Sequence, residues 1–375
     1  MYITRIYLRN FRNITEAELC FDKNLNVFVG KNAQGKTNLC EAISVCLGGS
    51  FRRVRFSQFI PAENPKSDVC IKLFFCDDNT ERENCIDYTI CKNIVEIKYN
   101  GIKMKDATEL YGVLKYVVFI PEHLNLIKGT PELRRNYLDE VALMQTKTHL
   151  QKLSRYNKAL KQRNNILVNF SMGSVDELRA SLSAWNEILA AEGINVTYGR
   201  LKYFNFLKKC AGDIYSELSD NSEKLEMEYQ SSVFKTDCID FNNKDYLYKK
   251  YLEELEKSLQ SEIKLRHTLV GIHRDDVNFY INGMSARDFA SQGQVRSTAL
   301  ALKLSEAEII RRKNKTNPVI ILDDILSELD SVRRDYIIHH IEKSQVFITC
   351  CNLDDVSKLQ NGKSWHVENG RFLNI

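Results

Sequence analysis

The stretch from Gly30 to Thr37 has the residue types and the spacing to bind a phosphate chain. It reads Gly30-Lys31-Asn32-Ala33-Gln34-Gly35-Lys36-Thr37, which fits the P-loop pattern G-x-x-x-x-G-K-[ST]. In such a loop the glycines let backbone N–H groups close around phosphate oxygens. The lysine reaches the β- and γ-phosphates, and the threonine hydroxyl binds Mg²⁺. The stretch therefore predicts a site for a nucleoside triphosphate and its magnesium ion.

The sequence on both sides supplies the elements that must position such a loop. Before it, Leu25–Val29 is a short run typical of a buried strand. After it, residues 38–47 carry apolar side chains at helical spacing, and Gly48 and Gly49 end the pattern. A strand, a glycine-containing turn and a helix form the context in which this motif binds phosphate. A chance glycine turn is the alternative, and these flanks argue against it.

A second candidate site lies near the C-terminus, where an apolar run over residues 318–322 ends on Asp323 and Asp324. A carboxylate at the tip of a buried parallel strand, next to the P-loop strand, can hold the Mg²⁺ that Thr37 also binds. This arrangement is known as Walker B. Asp324 is then placed to accept a proton from an attacking water. Alternatively, two adjacent acids at a strand end merely cap the next helix.

Composition excludes several classes of protein. The chain has 375 residues, of which 43% are hydrophobic and 27% are charged, and its net charge is +4. No run reaches the roughly 18 apolar residues of a membrane span, and the N-terminus resembles a strand more than a signal peptide. We therefore expect a cytoplasmic protein with no membrane association. Eleven scattered cysteines without a C-x-x-C pair argue against a disulfide framework or a zinc site.

The periodicity of the chain changes twice. Residues 68–120 are mostly strands: clear alternation and the hairpin signal Asn100-Gly101 favour an antiparallel β layer, and residues 117–120 close the segment as another buried strand. Residues 122–267 are helical, with three apolar seams beginning at Leu153, Leu178 and Tyr248, although residues 219–245 are polar and predict a long loop. The α/β pattern returns from residue 268. We therefore expect one α/β domain formed by residues 1–121 and 268–375, interrupted by a helical domain over residues 122–267.

Two sets of basic residues are candidates for contacts with DNA, which the net charge permits but does not require. One set alternates with aromatic residues, as suits phosphate contacts and base stacking: Arg52, Arg53 and Arg55. The other recurs every three residues on the first long helix: Lys152, Arg155, Lys158 and Lys161. For each set, a solvated surface is an equally good interpretation.

Ser291-Gln292-Gly293-Gln294 begins a predicted helix and on its own would be an ordinary N-cap. Together with the P-loop and the Walker B strand, in this order, it resembles the signature motif of ABC-type ATPases. The resemblance implies that the signature of one subunit closes on the γ-phosphate bound to another. ATP would then join two heads, and a single subunit would have an incomplete site.

The resemblance becomes narrower over the whole chain, where the sequence is similar to the bacterial RecF family of the SMC and Rad50 group. It rests on residues 10–12, 30–42, 50–52, 129–135, 271–276, 291–296, 322–324 and 327–330. It implies an ABC-type head, with a mixed sheet and an antiparallel β layer, split by an inserted α-helical lid or arm with short coiled-coil character.

The family implies an ATP-dependent DNA-binding recombination mediator in DNA replication and repair. Such proteins dimerise on ATP, hydrolyse it slowly, and act with RecR and RecO to direct RecA to single-strand gaps, supporting SOS induction. The DNA can be single-stranded, duplex or a gap junction.

Matching positions give further roles. The resemblance implies that Ser291 and Gly293 contact the γ-phosphate in trans, that Gln292 and Gln294 join them at the dimer interface, and that Asp330 lies there in the D-loop. Three more positions have counterparts in related heads, namely Arg12 at the nucleotide, Glu122 near the Q-loop and Thr349 at the switch histidine. Since Asp324 stands where many relatives have the longer glutamate, we expect slow hydrolysis, with Asp324 and Lys36 as the catalytic residues.

Other classes of ATPase fit the sequence less well. Residues 122–267 are too few for the long arms of an SMC tether, and the chain after Asp330 is too short for the catalytic domain of an OLD-type nuclease. A transporter ATPase would carry a switch histidine. An ATP-gated DNA clamp or scaffold, with little intrinsic enzymatic role, remains open as the alternative function.

Overall fold

The computed structural model describes residues 1–49, 56–61, 64, 67–77, 82–92, 94–171, 173–234, 239–352 and 362–375. Contacts between Cα atoms divide the chain into two compact units. The first combines Met1–Leu124 with Ala299–Ile375, and the second is Asn125–Thr298. Among the described residues, no helix has both the length and the apolar character needed to cross a membrane.

The strands are listed here in chain order: β1 (Tyr2–Phe11), β2 (Ile14–Cys20), β3 (Leu25–Val29), β4 (Val69–Cys76), β5 (Glu83–Cys91), β6 (Ile94–Tyr99), β7 (Ile102–Lys103), β8 (Tyr116–Phe119), β9 (Leu225–Gln230), β10 (Asp276–Ile281), β11 (Met284–Ser285), β12 (Val319–Asp323), β13 (Val346–Cys350), β14 (Lys363–Glu368) and β15 (Arg371–Asn374).

The helices follow in the same way: α1 (Lys36–Cys46), α2 (Asn125–Lys128), α3 (Pro131–Gln145), α4 (Thr148–Asn169), α5 (Val175–Leu218), α6 (Lys244–Leu265), α7 (Ala286–Phe289), α8 (Gln292–Asn314) and α9 (Ser331–Ile341).

The first unit contains the predicted antiparallel layer, with strand order β2-β1-β4-β5-β6-β7. Strand β1 buries Ile3, Ile6, Leu8 and Phe11 completely, and a register shift between Ile3 and Arg5 interrupts its alternation. Strand β2 was not predicted. Most of its side chains are exposed, with only Ile14 and Leu19 buried, so it lacks a strong apolar pattern.

The second sheet of this unit positions the candidate site. Its order is β15-β14-β3-β13-β12-β8, and every pairing is parallel except that of β14 with β15. All residues of β3, β12 and β13 are buried, as expected for parallel strands covered on both faces. Because β13 lies between β3 and β12, the ends of the P-loop strand and of the Asp323 strand point to the same edge. Ligands of open α/β sheets bind at this edge.

The second unit contains the predicted helical seams. One core cluster includes Tyr156, Leu189 and Tyr251 from α4, α5 and α6. A second cluster, around Leu167 and Leu182, also joins these three helices. The seams are therefore the packing surfaces that their 3-and-4 spacing predicted.

The polar segment 219–245 is only partly a loop, since it contains β9. Leu225, Met227 and Tyr229 alternate into the core, and β9 pairs antiparallel with β10. This pairing ties residues after 267 to the second unit, so contacts place the second boundary at 298/299, whereas the predicted boundary was 267/268. Helix α8 crosses this boundary. A role for the second unit as a lid or arm remains a prediction.

Candidate nucleotide-binding site

The predicted strand, loop and helix around the P-loop are present as β3, residues 30–35 and α1. Within the loop, Ala33 (φ 64°) and Gly35 (φ 113°) have left-handed backbone conformations. Alternation of right- and left-handed residues turns successive N–H groups to one side, which makes an anion-binding nest. Within the described part of the chain, no side chain caps the N-terminus of α1. The backbone donors there remain available for phosphate oxygens.

Lys36, the P-loop lysine, is held by the backbone of the loop. Its side chain is buried, and its ammonium Nζ donates to the carbonyl oxygens of Gly30 (2.7 Å) and Lys31 (3.1 Å). An ammonium group has three donors, so these two bonds orient the group and leave one donor for a phosphate.

Thr37 and Asp323 come together as the two motifs predict. The Thr37 hydroxyl Oγ1 donates to the Asp323 carboxylate Oδ1 at 3.0 Å. Asp323 is 1% exposed, and Thr349 Oγ1 also donates to its Oδ1, at 2.7 Å. A hydroxyl and a carboxylate on one edge of the sheet are oxygen ligands that suit Mg²⁺. These residues therefore fit the ion.

Thr349, predicted to occupy the switch position, connects the two acids of the Walker B strand. Its hydroxyl oxygen accepts from the backbone N–H of Asp324 at 2.9 Å while donating to Asp323. Asp324 itself is half-buried and has a positive φ of 52°. A non-glycine residue in this conformation carries backbone strain of the kind found at functional sites. The catalytic role of Asp324 remains a prediction.

Arg12 forms an ion pair with Glu41 of the same chain. Its Nε and Nη2 donate to the two carboxylate oxygens of Glu41 on α1, the latter at 2.9 Å, and Glu41 is buried. This fork ties the β1–β2 turn to the helix behind the P-loop. The nucleotide contact predicted for Arg12 therefore competes with an ion pair.

Asn13, the neighbour of Arg12, is a site residue that the sequence analysis missed. Its Nδ2 donates to the Gln34 carbonyl at 3.2 Å, and its Oδ1 accepts from Asn38 Nδ2 at 2.7 Å. It thus fastens the β1–β2 turn to the P-loop and to α1. No spacing pattern in the sequence connects Asn13 with residue 34.

The candidate signature lies in the second unit, at the start of α8. Ser291 is exposed, and its hydroxyl accepts from the Gln294 backbone N–H at 3.2 Å. In return, Gln294 Oε1 accepts from the Ser291 backbone N–H at 2.8 Å, which completes a capping box. Gln292 is also exposed and Gly293 is half-buried. The motif therefore presents a helix N-terminus at the surface of its unit, although it is capped from within.

Two other predicted positions are also at the surface. Asp330 is exposed and caps α9, accepting from the Arg333 backbone N–H at 2.9 Å. This hydrogen bond is the main cause that lowers the pKa of Asp330. Glu122 is exposed in a short turn after β8.

The candidate DNA contacts are placed only in part. Arg52, Arg53 and Arg55 lie outside the described residues. On α4, a step of three residues falls about 60° short of a full turn, so the basic side chains do not share one face. Arg155, Lys158 and Lys161 are exposed, whereas Lys152 is half-buried. Arg155 also pairs with Glu192 at 3.3 Å. The four residues therefore do not form the single straight track that their spacing indicated.

Two stretches that carried the family resemblance, 129–135 and 271–276, contact each other. Arg134 donates to both carboxylate oxygens of Asp276, at 2.7 and 3.0 Å. Arg135 Nη1 donates to the Asp275 carbonyl at 2.8 Å. These stretches therefore hold α3 against β10 in the second unit.

Behind them lies a buried polar network. Burial alone would raise the pKa of Asp139, but the charge and hydrogen bonds of Arg200, with His149, outweigh it and lower the pKa to about 2. Burial lowers the pKa of His273 to about 4. The Nδ1 of His273 faces the Tyr156 hydroxyl at 2.8 Å, and its Nε2 faces the Thr268 carbonyl at 3.1 Å. These contacts fix a neutral ring with the proton on Nε2.

Comparisons with known proteins agree with this geometry. The model of the RecF/RecN/SMC N-terminal domain matches residues 2–370. Proteins named DNA replication and repair protein RecF, from Bacillus thuringiensis (strain Al Hakam) and Bacillus cereus (strain B4264), are each 34% identical over 374 residues, or 99% of this chain and 98% of the relative.

Solved structures of related proteins are also similar to this chain. One described as the recombination mediator protein RecF-ATP in the RecFOR pathway is 33% identical, with a TM-score of 0.89, covering 100% of this chain and 97% of that one. An Smc head domain from Pyrococcus furiosus, 16% identical with a TM-score of 0.56, covers 100% of this chain and 96% of that one and shares the fold. The chain therefore belongs to the RecF/RecN/SMC family and, within it, to the bacterial RecF proteins.

Proposed function

We propose that this protein is an ATP-dependent DNA-binding recombination mediator that acts in DNA replication and repair. The observation that carries the proposal is the convergence of Lys36, Thr37 and Asp323 at one edge of the parallel sheet, with Thr37 Oγ1 3.0 Å from Asp323 Oδ1. A relative at 33% identity and a TM-score of 0.89 is described as RecF-ATP. This supports ATP as the nucleotide.

Different residues of the chain bind the phosphates, hold Mg²⁺ and accept a proton. The backbone of residues 30–35 and the ammonium group of Lys36 hold the phosphates. Thr37 and Asp323 would hold Mg²⁺, which when bound neutralises charge on the β- and γ-phosphates. Asp324 accepts the proton of the attacking water, and its short side chain keeps hydrolysis slow.

ATP binding at this site causes two copies of the protein to dimerise. Ser291 and Gly293 of one copy seal the γ-phosphate held by another, with Gln292, Gln294 and Asp330 at the same interface. Three structural features support this arrangement: Ser291 and Asp330 are exposed, Ser291 begins a long helix, and the P-loop and the signature belong to different compact units. ATP thus drives head-to-head dimerisation on DNA, and slow hydrolysis resets it.

Partners follow from the family. RecR and RecO act with the ATP-bound dimer in directing RecA to single-strand gaps, and SOS induction depends on this step. The name of the pathway in the description of the similar structure, RecFOR, supports the first two. DNA contacts involve the exposed Arg155, Lys158 and Lys161, with Arg52, Arg53 and Arg55 as further candidates.

The experiment that tests this function measures molecular mass by light scattering with ATP and Mg²⁺, with ADP and Mg²⁺, and without nucleotide. We expect a dimer with ATP only. A monomer under all three conditions, despite measured ATP binding, would contradict the dimerisation step. Absence of ATP binding would contradict the whole proposal.

A further inference from the structure

The C-terminal hairpin lies against the P-loop, and no nucleotide-binding motif includes it. Strand β14 runs parallel to β3, with His366 opposite Val29 at the point where the loop begins. An ideal Cβ on Gly30 would lie 2.3 Å from the Val367 carbonyl oxygen, so the two backbones touch. The hairpin thus forms a wall of the site.

The turn of this hairpin forms hydrogen bonds with one residue of the P-loop, Gln34. The turn residues Asn369 and Gly370 both have positive φ, 48° and 74°. The Asn369 N–H donates to the Gln34 side-chain Oε1 at 2.7 Å, and the Gly370 N–H donates to the Gln34 carbonyl at 2.8 Å. Asn13 Nδ2 reaches the same carbonyl at 3.2 Å. Gln34 is therefore fixed from two directions.

Two other hairpin turns of the chain provide an internal comparison. Asn100–Gly101 and Asn282–Gly283 have the same residue types and nearly the same φ values, 49° and 80° in one and 50° and 78° in the other. A Cβ on Gly101 or Gly283 would meet nothing within 4 Å, whereas a Cβ on Gly370 would lie 2.2 Å from the Asn13 carbonyl oxygen. Of these three similar turns, the one at the P-loop is therefore the one whose glycine leaves no room for a Cβ atom.

The position of Gln34 links its contact with the hairpin turn to the shape of the phosphate-binding loop. It lies between Ala33 and Gly35, the two residues whose left-handed conformations shape the nest. A loop held in its binding conformation loses less entropy when phosphate binds, and so binds more tightly. Rotation of the Gln34 peptide would turn the nest N–H groups away.

We propose that the Asn369–Gly370 turn is a positioning element of the nucleotide site, acting through Gln34 to hold residues 33–35 ready for the triphosphate. This rests on the proposed function only in that the P-loop binds ATP. It makes the C-terminal hairpin part of the ATP site, so that a perturbation of the hairpin changes nucleotide affinity.

The test compares ATP dissociation constants, by calorimetry, for wild type and three variants. Gln34→Met keeps the size of the side chain but removes Oε1. Gly370→Ala forces the turn off Asn13, and Gly101→Ala is the control with the same φ penalty but open space. We expect a roughly tenfold weaker affinity for Gln34→Met and Gly370→Ala, as for loss of one or two hydrogen bonds. Gly101→Ala should stay within about twofold.

The double variant Gln34→Met/Gly370→Ala separates positioning from general destabilisation. If both substitutions act through the contact between the Asn369–Gly370 turn and Gln34, the double variant binds ATP no more weakly than whichever single variant has the lower affinity. Additive losses would overturn the proposal. Wild-type affinity in Gln34→Met, which should fold because Gln34 is half-exposed, would also overturn it. Failure of the wild type to bind ATP would instead refute the proposed function.

Discussion

Thr37 Oγ1 lies 3.0 Å from Asp323 Oδ1, although 286 residues separate them in the chain. The hydroxyl lies at the start of α1, after the P-loop that follows β3, and the carboxylate ends β12, two places from β3 in the sheet. Thr349, on the strand between them, bonds to the same carboxylate oxygen. A hydroxyl and an acid fixed in this way form a prepared site for the magnesium ion of a nucleotide.

Asp323→Asn should remove the magnesium dependence of ATP binding. Asparagine keeps an oxygen for the hydroxyls of Thr37 and Thr349 but lacks the charge, so the fold should persist. We expect wild type to bind ATP roughly 10- to 100-fold more tightly with Mg²⁺ than with a chelator, the scale of a charged interaction. The variant should show nearly equal affinities.

The control for this variant is Asp106→Asn. Asp106 caps a short turn in the same unit, where asparagine is an equivalent cap. It should keep the magnesium dependence of the wild type. Full magnesium dependence in Asp323→Asn would contradict the assignment.

Asp324→Asn should stop hydrolysis without stopping assembly. Asparagine tolerates the positive φ of this position, and loss of a general base costs typically 10²- to 10⁴-fold in rate. ATP binding and ATP-driven dimerisation should survive, as measured by calorimetry and light scattering.

The same variant separates the two candidate functions. Retained DNA binding would make hydrolysis a timer, as in an ATP-gated clamp. Loss of DNA binding with retained ATP binding would make turnover integral to the mediator. Wild-type turnover near 10 s⁻¹ without DNA, a typical enzyme rate, would contradict the slow hydrolysis expected from the short acid.

Ser291→Arg should block dimerisation while leaving ATP binding to the P-loop intact, because the bulky cation occupies the surface that closes on the second copy. Ser174 provides a matched control. It is also an exposed N-cap serine in a capping box, at the start of α5. Ser291→Arg and the control Ser174→Arg should each cost about 0.5–2 kcal/mol in stability through loss of the cap. Equal effects of the two on light scattering with ATP would show that Ser291 has no special role.

His273 should make the protein less stable as pH falls from about 6.5 to about 4. Its pKa in the fold is about 4 because of burial, below the usual value of about 6.5. The unfolded chain therefore takes up the proton first, and stability decreases across this range but not further below it.

Between pH 6.5 and pH 4.5, this linkage amounts to about 2 kcal/mol of unfolding free energy. Urea unfolding of wild type and His273→Gln at both pH values measures it. The variant has no titrating ring and should lose about 2 kcal/mol less than wild type over the interval. Parallel losses in the two proteins would show that His273 does not bind its proton as described.

The sequence predicted those parts of the site that consecutive residues determine. The P-loop, the strand ending on Asp323 and the N-cap at Ser291 are local patterns, and the structure contains each of them. Strand β9 was not predicted although Leu225, Met227 and Tyr229 alternate, because the polar composition of residues 219–245 conceals the period.

Other parts depend on which strands become neighbours, which no local pattern reveals. Asn13 and Thr349 act on the site only because β1 and β13 lie where they do. The contact of Gln34 with Asn369 joins residues 335 apart in the chain. The basic residues of α4 stay a prediction as DNA contacts, and they spread around the helix because a period of three drifts against about 3.6 residues per turn.

The most direct test of the whole account is DNA binding as a function of salt, with ATP and Mg²⁺, with ADP and Mg²⁺, and without nucleotide. We predict that ATP raises the affinity for DNA at each salt concentration and that the logarithm of the binding constant falls linearly with the logarithm of salt concentration, as for phosphate contacts. Affinity that is the same with and without ATP would contradict the central claim that ATP closes this protein on DNA.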